Sequence, residues 1–429
     1  LNPAYREDEL DFYLDDLNAK ALVVEQGSGS PALAVARKRN IPIFRLVGDA
    51  GGVAGAFTLE GESIGVLAAN GGPAEPDDVA LVLHTSGTTS RPKIVPLTQR
   101  NVTASARHIG ASLNLVASDK CMNIMPLFHI HGLIAAVLSS LGAGASVHCA
   151  PGFNALKVFS WLDEIEPSWY TAVPTMHQTI LSRAARNPES VARARKNLRL
   201  VRSSSASLPP QVMHELEETF DAPVVEAYGM TEAAHQMACN PLPPAARKPG
   251  SVGIAAGPEV AIMSETDGTL LDTGATGEIV IRGPNVTLGY ENNPDANATA
   301  FTDGWFRTGD QGVMDGEGYI SITGRLKEII NRGGEKISPR EVDEVLMDHP
   351  AVAQAVTFAV PHDKLGEDVA AAIVLREGEQ VEEREVRDFV AKHLADFKVP
   401  RKIVILDEIP KGATGKLQRI GLAEKLGLV

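Results

Sequence analysis

The sequence predicts an α/β protein: a large N-terminal domain of parallel-rich sheets with a small β subdomain, then a small α+β C-terminal domain. Three observations carry this prediction. Short apolar runs alternate with helical periodicity from Glu7 to Ala227, the pattern that lays strands in parallel with helices across them. From Val252 the runs shorten and glycine turns separate them, as in a β subdomain. The last stretch, about a hundred residues, mixes strands and helices and is large enough for independent folding.

In chain order, Glu7 to Leu17 reads as an amphipathic helix, Ala21 to Val24 as a strand, Pro31 to Arg39 as a helix and Ile41 to Leu46 as a strand. Gly48 to Asp77 is looser. Val79 to Leu83 is a buried strand and Ile94 to Leu97 a second one. Thr98 then caps a helix that runs to Leu113. Strands follow at 122–125, 146–149, 169–173, 200–203 and 223–227, with helices at 131–141, 155–165 and 175–185 between them. The basic stretch Arg183 to Arg199 reads as a solvated helix face. Glu278 to Arg282 and Tyr319 to Thr323 are strands of the β subdomain. Beyond it come helix Pro339 to Met347, strands 352–360 and 370–375, helix 381–394 and strand 402–406.

Composition sets the class. With 429 residues, 44% of them hydrophobic, the chain can bury a large core in more than one domain. No apolar run approaches the eighteen or so residues of a membrane span, and the first residues lack the basic and apolar regions of a signal peptide, so the expected location is the cytoplasm. A formal net charge of −14 argues against nucleic-acid or anionic-membrane partners. The three cysteines, Cys121, Cys149 and Cys239, form no C-x-x-C pair and read as buried, inert thiols.

Chemistry concentrates between the strands at 79–83 and 94–97. There TSGTTSRPK, Thr85 to Lys93, packs five hydroxyls and one glycine into six residues before Arg91, Pro92 and Lys93. Hydroxyls and free backbone N–H groups of Thr85, Ser86, Gly87, Thr88 and Thr89 can wrap polyphosphate oxygens, and Lys93 adds a point charge. The Walker A spacing is absent, so the loop joins two strands. Four blocks follow it: YGMTE from Tyr228, WFRTGD ending at Asp310, GRLKE from Gly324 and PKGATGKLQR, Pro410 to Arg419.

Four such blocks in this order resemble the adenylate-forming superfamily of acyl-CoA synthetases, 4-coumarate–CoA ligases, luciferases and peptide-synthetase adenylation domains, over essentially the whole chain. Within it the likeness is greatest to oxalate–CoA ligases, through Ser90 and Arg91, PLFHIHG from Pro126, RSSSASL from Arg202 and EAYGMTEAAHQM from Glu226. Relatives carry some tens of residues before the segment that Leu1 to Glu25 resembles, so the chain reads as N-terminally shortened. The domains implied are a nucleotide-binding part over 1–324, a hinge at 325–328 and a C-terminal part over 329–429.

The resemblance implies ATP, Mg²⁺ and coenzyme A as reactants. A carboxylate attacks the α-phosphate, pyrophosphate leaves, and the CoA thiol then displaces AMP. It implies that Lys416 stabilises charge in the first step, that Glu232 ligates Mg²⁺, and that Thr231 offers a hydroxyl to the α-phosphate. Asp310 is expected on the ribose and Arg325 on ribose or phosphate, with Ser205, Ala206, Ser207, Glu226, Ala227 and Tyr228 forming the adenine slot. His131 and His235, with Ser203 and Ser204, line the acyl pocket, and His129 lies near the reacting carboxylate. Two imidazoles suit a small anionic acid. No arginine occupies the YGMTE stretch, which counts against malonate. Lys327 is the expected pivot, and Gly333 and Gly334 the loop facing the site for thioester formation. A monomer is expected. The alternatives are a ligase for another small or aryl acid, and a nucleotide-binding module inactive for want of the N-terminal segment.

Overall fold

Short runs rich in valine, isoleucine and aromatic residues form strands, and in this computed structural model, which describes residues 1–49, 51–61, 72–85, 92–410, 417 and 419–429, they assemble into five sheets. Residues 1–75 make one compact unit and residues 76–429 a second. In the first, strands Leu22–Glu25 and Ile43–Gly48 are parallel and Phe57–Gly61 pairs antiparallel to the latter. Helices Glu7–Asp16 and Ala32–Lys38 bury Leu10, Leu14, Leu33 and Val35 in its core.

In the second unit a seven-stranded sheet positions the site. Its order is Ile254–Ala255, His235–Cys239, Val224–Met230, Leu200–Ser204, Trp169–Ala172, Lys120–Asn123 and Ser146–Cys149. The last five run parallel, as the alternation of strands and helices predicts, and the first two are antiparallel additions. Parallel strands covered on both faces read as continuous buried runs, and Trp169–Ala172 and Leu200–Ser204 are buried at every position. One core lies around Ile109, Ile134, Val225 and Phe306, another around Met122, Leu162, Leu216 and Phe220. Cys121 and Cys239 are buried, but Cys149 is exposed, because it ends the outermost strand of the sheet.

Strands Val79–Thr85 and Lys93–Thr98 form the expected antiparallel pair on either side of the phosphate loop. Thr98 caps helix Gln99–Ser112 by accepting the Asn101 N–H at 3.2 Å, and the Asn101 side chain accepts the Thr98 N–H at 2.8 Å. The helix expected over 131–141 begins as a π-helix, His131–Leu138, before turning α at Ser139–Gly142. Ser139 and Ser140 donate back to the Ala135 and Ala136 carbonyls, both at 2.6 Å, which competes with regular α bonding. The basic stretch holds helix Pro188–Asn197, and three of its arginines are engaged by neighbouring elements. Arg193 pairs with Asp163, Arg195 donates to the Thr219 and Glu218 carbonyls, and Arg199 pairs with Asp119.

The β subdomain is a five-stranded sheet around Thr276–Arg282 and Trp305–Met314, onto which Ile320–Arg325 pairs. A turn at 326–328 leads to a last sheet with its own core of Ile330, Val342, Leu346, Ile373 and Val386. Helices Pro339–Met347 and Glu383–Ala391 cover it.

Candidate active site

Loops at the carboxyl ends of parallel strands are the usual place for ligands in open α/β sheets. A cleft of about 460 Å³ lies there, lined by Ser205, Ala206 and Ser207 after strand Leu200–Ser204 and by Glu226, Ala227 and Tyr228 of the neighbouring strand. Asp310 and Arg325 of the β subdomain line it too, as do Asp343, Leu417 and Arg419 from the C-terminal part. Of the residues expected at the nucleotide, Ser205 to Ser207, Glu226 to Tyr228, Asp310 and Arg325 are thus brought to one place.

Tyr228 donates its hydroxyl to Asp310 Oδ2 at 2.5 Å, and Arg325 Nε lies 3.1 Å from Asp310 Oδ1. Register explains the second contact, since Asp310 and Arg325 are opposite partners on adjacent strands. Burial, with the Asp310 charge beside it, pushes the Tyr228 hydroxyl far above the ordinary phenol range, so it stays a donor. Glu226 accepts the Leu208 N–H at 2.9 Å through Oε1, while Oε2 is buried without a hydrogen-bond partner. Burial raises that carboxyl to about 7.

Glu232 sits in a single 3-10 turn, Thr231–Ala233, and Tyr290 donates to its Oε1 at 2.9 Å. Lys93 lies 4.3 Å from the centre of the Tyr290 ring. Burial raises the pKa of Glu232, and the Tyr290 hydrogen bond and the charges of Lys93 and Arg325 pull it back. Among the described residues no three His, Cys, Asp or Glu converge as a metal-binding set. A lone carboxylate fits Mg²⁺, which commonly takes one or two carboxylates and completes its shell with phosphate oxygens and water.

Of the residues expected at the acyl pocket, His131 and His235 come from separate elements, yet their rings meet edge to face with centroids 5.3 Å apart. Both are almost fully buried. Gly229 permits the approach: a Cβ there would stand 1.7 Å from the His235 carbonyl oxygen, at the bulge between Tyr228 and Gly229. Ser205 has φ +76° and His235 φ +109°, backbone that L-residues rarely adopt. Such strain persists where surrounding structure holds it, commonly at functional sites. Asn285 supplies part of that hold by donating to the Ala233 and Gln236 carbonyls, both at 2.9 Å.

Other expected residues fall differently. Ser204 commits its hydroxyl proton to the Ala227 carbonyl at 2.8 Å, so it has none to offer an acid, while Ser203 is fully buried. His129 is half-buried beside Phe128, and Thr231 starts the turn that carries Glu232. Lys327 is exposed in the 326–328 turn. Gly333 and Gly334, with φ +60° and +99°, make a tight hairpin turn between Ile330–Arg332 and Glu335–Ile337. Thr85 and Lys93 face each other at the strand ends flanking the phosphate loop. Ser86, Gly87, Thr88, Thr89 and Lys416 lie outside the described residues.

Residues that the sequence reading does not single out complete the picture. Tyr290 supports Glu232, Thr171 and Arg202 contact His131, and Gln236 accepts from Arg202. No arginine is near in sequence to YGMTE, but in space Arg202 reaches Gln236 at 3.3 Å, so the argument against malonate loses its ground. The available signal is an arginine inside the apolar strand LRLVRSSS.

Proteins of known family and activity resemble this chain over nearly its whole length. Residues 1–291 match the model of the AMP-binding enzyme family, and residues 341–416 that of the AMP-binding enzyme C-terminal domain. The chain is 49% identical to an oxalate–CoA ligase of Arabidopsis thaliana over 98% of this chain and 81% of the relative. It is 43% identical to an oxalate–CoA ligase of Saccharomyces cerevisiae over 99% and 81%. ATP-bound MatB from Rhodopseudomonas palustris superposes with a TM-score of 0.86 at 30% identity, over 99% of this chain and 82% of that one. With the family matched over most of its length, the chain belongs to the AMP-binding enzymes, as an AMP-forming acid–CoA ligase.

Proposed function

We propose that this chain joins oxalate to coenzyme A. One oxalate carboxylate attacks the α-phosphorus of ATP, pyrophosphate leaves, and the CoA thiol then displaces AMP from oxalyl-adenylate. The observation that carries the choice of acid is the convergence of His131 and His235, with Ser205 hydrogen-bonded to His131 at 3.0 Å. The free carboxylate of a bound oxalate would lose its water in a closing pocket, and the Ser205 hydroxyl, oriented by His131, with His235 beside it, replaces that hydration. The names of two similar relatives, both oxalate–CoA ligases, support the same reading.

In this reading Asp310 and Arg325 hold the ribose, and Ser205 to Ser207 with Glu226 to Tyr228 form the adenine slot. Thr85 to Thr89, with Lys93, cradle the phosphates. Glu232 holds Mg²⁺ with the triphosphate, and the Tyr290 hydroxyl steadies the carboxylate. Thr231 donates to the α-phosphate, His129 stands near the reacting carboxylate, and Lys416 stabilises negative charge in the adenylation transition state. Leu417 and Arg419, just beyond Lys416, line the cleft, which supports that placement. Residues 1–324 then serve as the nucleotide-binding part, 325–328 as the hinge with Lys327 as pivot, and 329–429 as the part that turns. Turning would bring Gly333 and Gly334 to the site for the thioester step. No helix among the described residues is long and apolar enough to cross a membrane. We take the enzyme to act as a cytoplasmic monomer.

The test is pyrophosphate release and thioester formation with oxalate, malonate, sulfoacetate, acetate and 4-coumarate side by side. Oxalate should give the highest kcat/KM. Preference for 4-coumarate or acetate would refute the assignment, and ATP binding without pyrophosphate release would identify a catalytically silent nucleotide-binding module.

A further inference from the structure

Arg202 stands inside strand Leu200–Ser204 with no exposed surface. A buried guanidinium ordinarily has a carboxylate beside it, because removing its hydration with only neutral partners is costly. Among the described residues no carboxylate pairs with Arg202, and its Nε has no hydrogen-bond partner. Its terminal nitrogens meet Gln236 Oε1 at 3.3 Å, Thr171 Oγ1 at 3.4 Å and His131 Nε2 at 3.5 Å, none of them a carboxylate. Burial lowers its pKa to about 10, which still leaves it charged at neutral pH. A cation is therefore held beneath the acyl side without an anion of its own.

The same contacts set a direction. Guanidinium nitrogens only donate, so the His131 Nε2 that faces Arg202, and lies 2.6 Å from Thr171 Oγ1, presents its lone pair. The ring proton then sits on Nδ1 and is given to Ser205 Oγ at 3.0 Å. Ser205, having accepted there, has its own hydroxyl proton left to donate, and it lines the cleft. Arg202, Thr171, His131 and Ser205 form a chain in which every donor points toward the cleft.

We infer that Arg202 is the residue that makes this site select a dianionic over a monoanionic acid of the same size. It acts as a positioning residue. Its charge offsets the second negative charge of the acid, and its N–H groups fix the His131 tautomer that frees the Ser205 hydroxyl for the unreacted carboxylate. The inference rests on the reading that His131 and Ser205 border the acyl pocket.

Oxalate and glyoxylate are matched probes, nearly equal in size and different by one charge. Pyrophosphate release by the full chain gives kcat and KM for each, in the wild type, Arg202→Met, Arg202→Lys and Ser205→Gly. Arg202→Met should lower the oxalate-to-glyoxylate ratio of kcat/KM by about tenfold or more, chiefly through the KM for oxalate, with the KM for ATP within about twofold. Arg202→Lys should restore part of the ratio, since it returns the charge without the planar fork. Ser205→Gly should lower the ratio similarly, and glycine suits φ +76°, so this variant carries the test should Arg202→Met fail to fold. A folded Arg202→Met or Ser205→Gly enzyme with the wild-type ratio overturns the inference and leaves the oxalate assignment standing. A wild type that uses glyoxylate as well as oxalate overturns both.

Discussion

Replacing Glu226 by Gln tests how the wall of the cleft is held. Glu226 is 1% exposed, its Oε1 accepts the Leu208 N–H, and its Oε2 has no hydrogen-bond partner. Burial raises its pKa from 4.5 to about 7, against the opposing pull of Arg340 and the Leu208 N–H. That difference corresponds to about 3 kcal/mol between the protonated and ionised forms of the folded site. Because the folded pKa is the higher one, the associated stability is fully present below the unfolded value of 4.5 and is lost as pH rises through about 7. Glutamine keeps the acceptor for Leu208 and never ionises. Glu226→Gln should therefore match the wild type in urea unfolding at about pH 4 and exceed it by about 3 kcal/mol at about pH 8. Taking the difference between the two proteins removes every other titrating group they share. A constant difference across this range would refute the assignment of a buried, proton-binding Glu226.

Lys416→Ala should abolish adenylate formation, at a cost of about 2–4 kcal/mol or more in the transition state, yet spare thioester formation from supplied oxalyl-adenylate. Equal loss in both half-reactions, measured by pyrophosphate release and by thioester yield, would contradict a role confined to the first. Lys327→Pro should restrict the backbone of Lys327 and Leu326 and slow one half-reaction far more than the other. Wild-type rates for both would mean that the pivot lies elsewhere. Replacing His131 with Leu and His235 with Val together should weaken oxalate use by about 2–5 kcal/mol in kcat/KM while an apolar acid loses little. Competitive turnover of the two acids measures this, and an unchanged ratio would assign both histidines a purely structural part.

Local signals account for what the sequence determined by itself. Helix Pro339–Met347 and strand Ser146–Cys149 have the bounds that periodicity predicts, and Thr98 caps its helix as its residue type implies. The cleft-lining residues were legible as motifs because each block is short and contiguous: Ser205 to Ser207, Glu226 to Tyr228, Asp310 and Arg325 need no long-range information to be read as a group. Helix Pro210–Phe220 carries a signal of the same local kind, with Val212, Met213, Leu216 and Phe220 on its buried face, although the reading by motifs passes over it. Strand Trp305–Met314 is harder to read, because the glycines at 309 and 312 break the alternation that marks a strand.

Tertiary structure alone decided the rest. The nearly all-apolar run HGLIAAVL reads equally as an α- or a π-helix, so the sequence carries no signal for the π-helical start at His131. Its geometry is set where Gly132 crowds the Pro126 carbonyl, 2.5 Å from where a Cβ would stand. The meeting of His131 with His235, and the burial of Arg202 beside Thr171 and Gln236, depend on which strands become neighbours and in what register. Thr171 lies opposite Arg202, and Met230 opposite His235. Register is fixed by hydrogen bonds between segments far apart in the chain, and a shift of one residue would turn each of these side chains to the other face. The blocks that line the cleft could therefore be read in sequence, whereas the buried charge of Arg202 could not, because it arises only when distant strands close around an arginine.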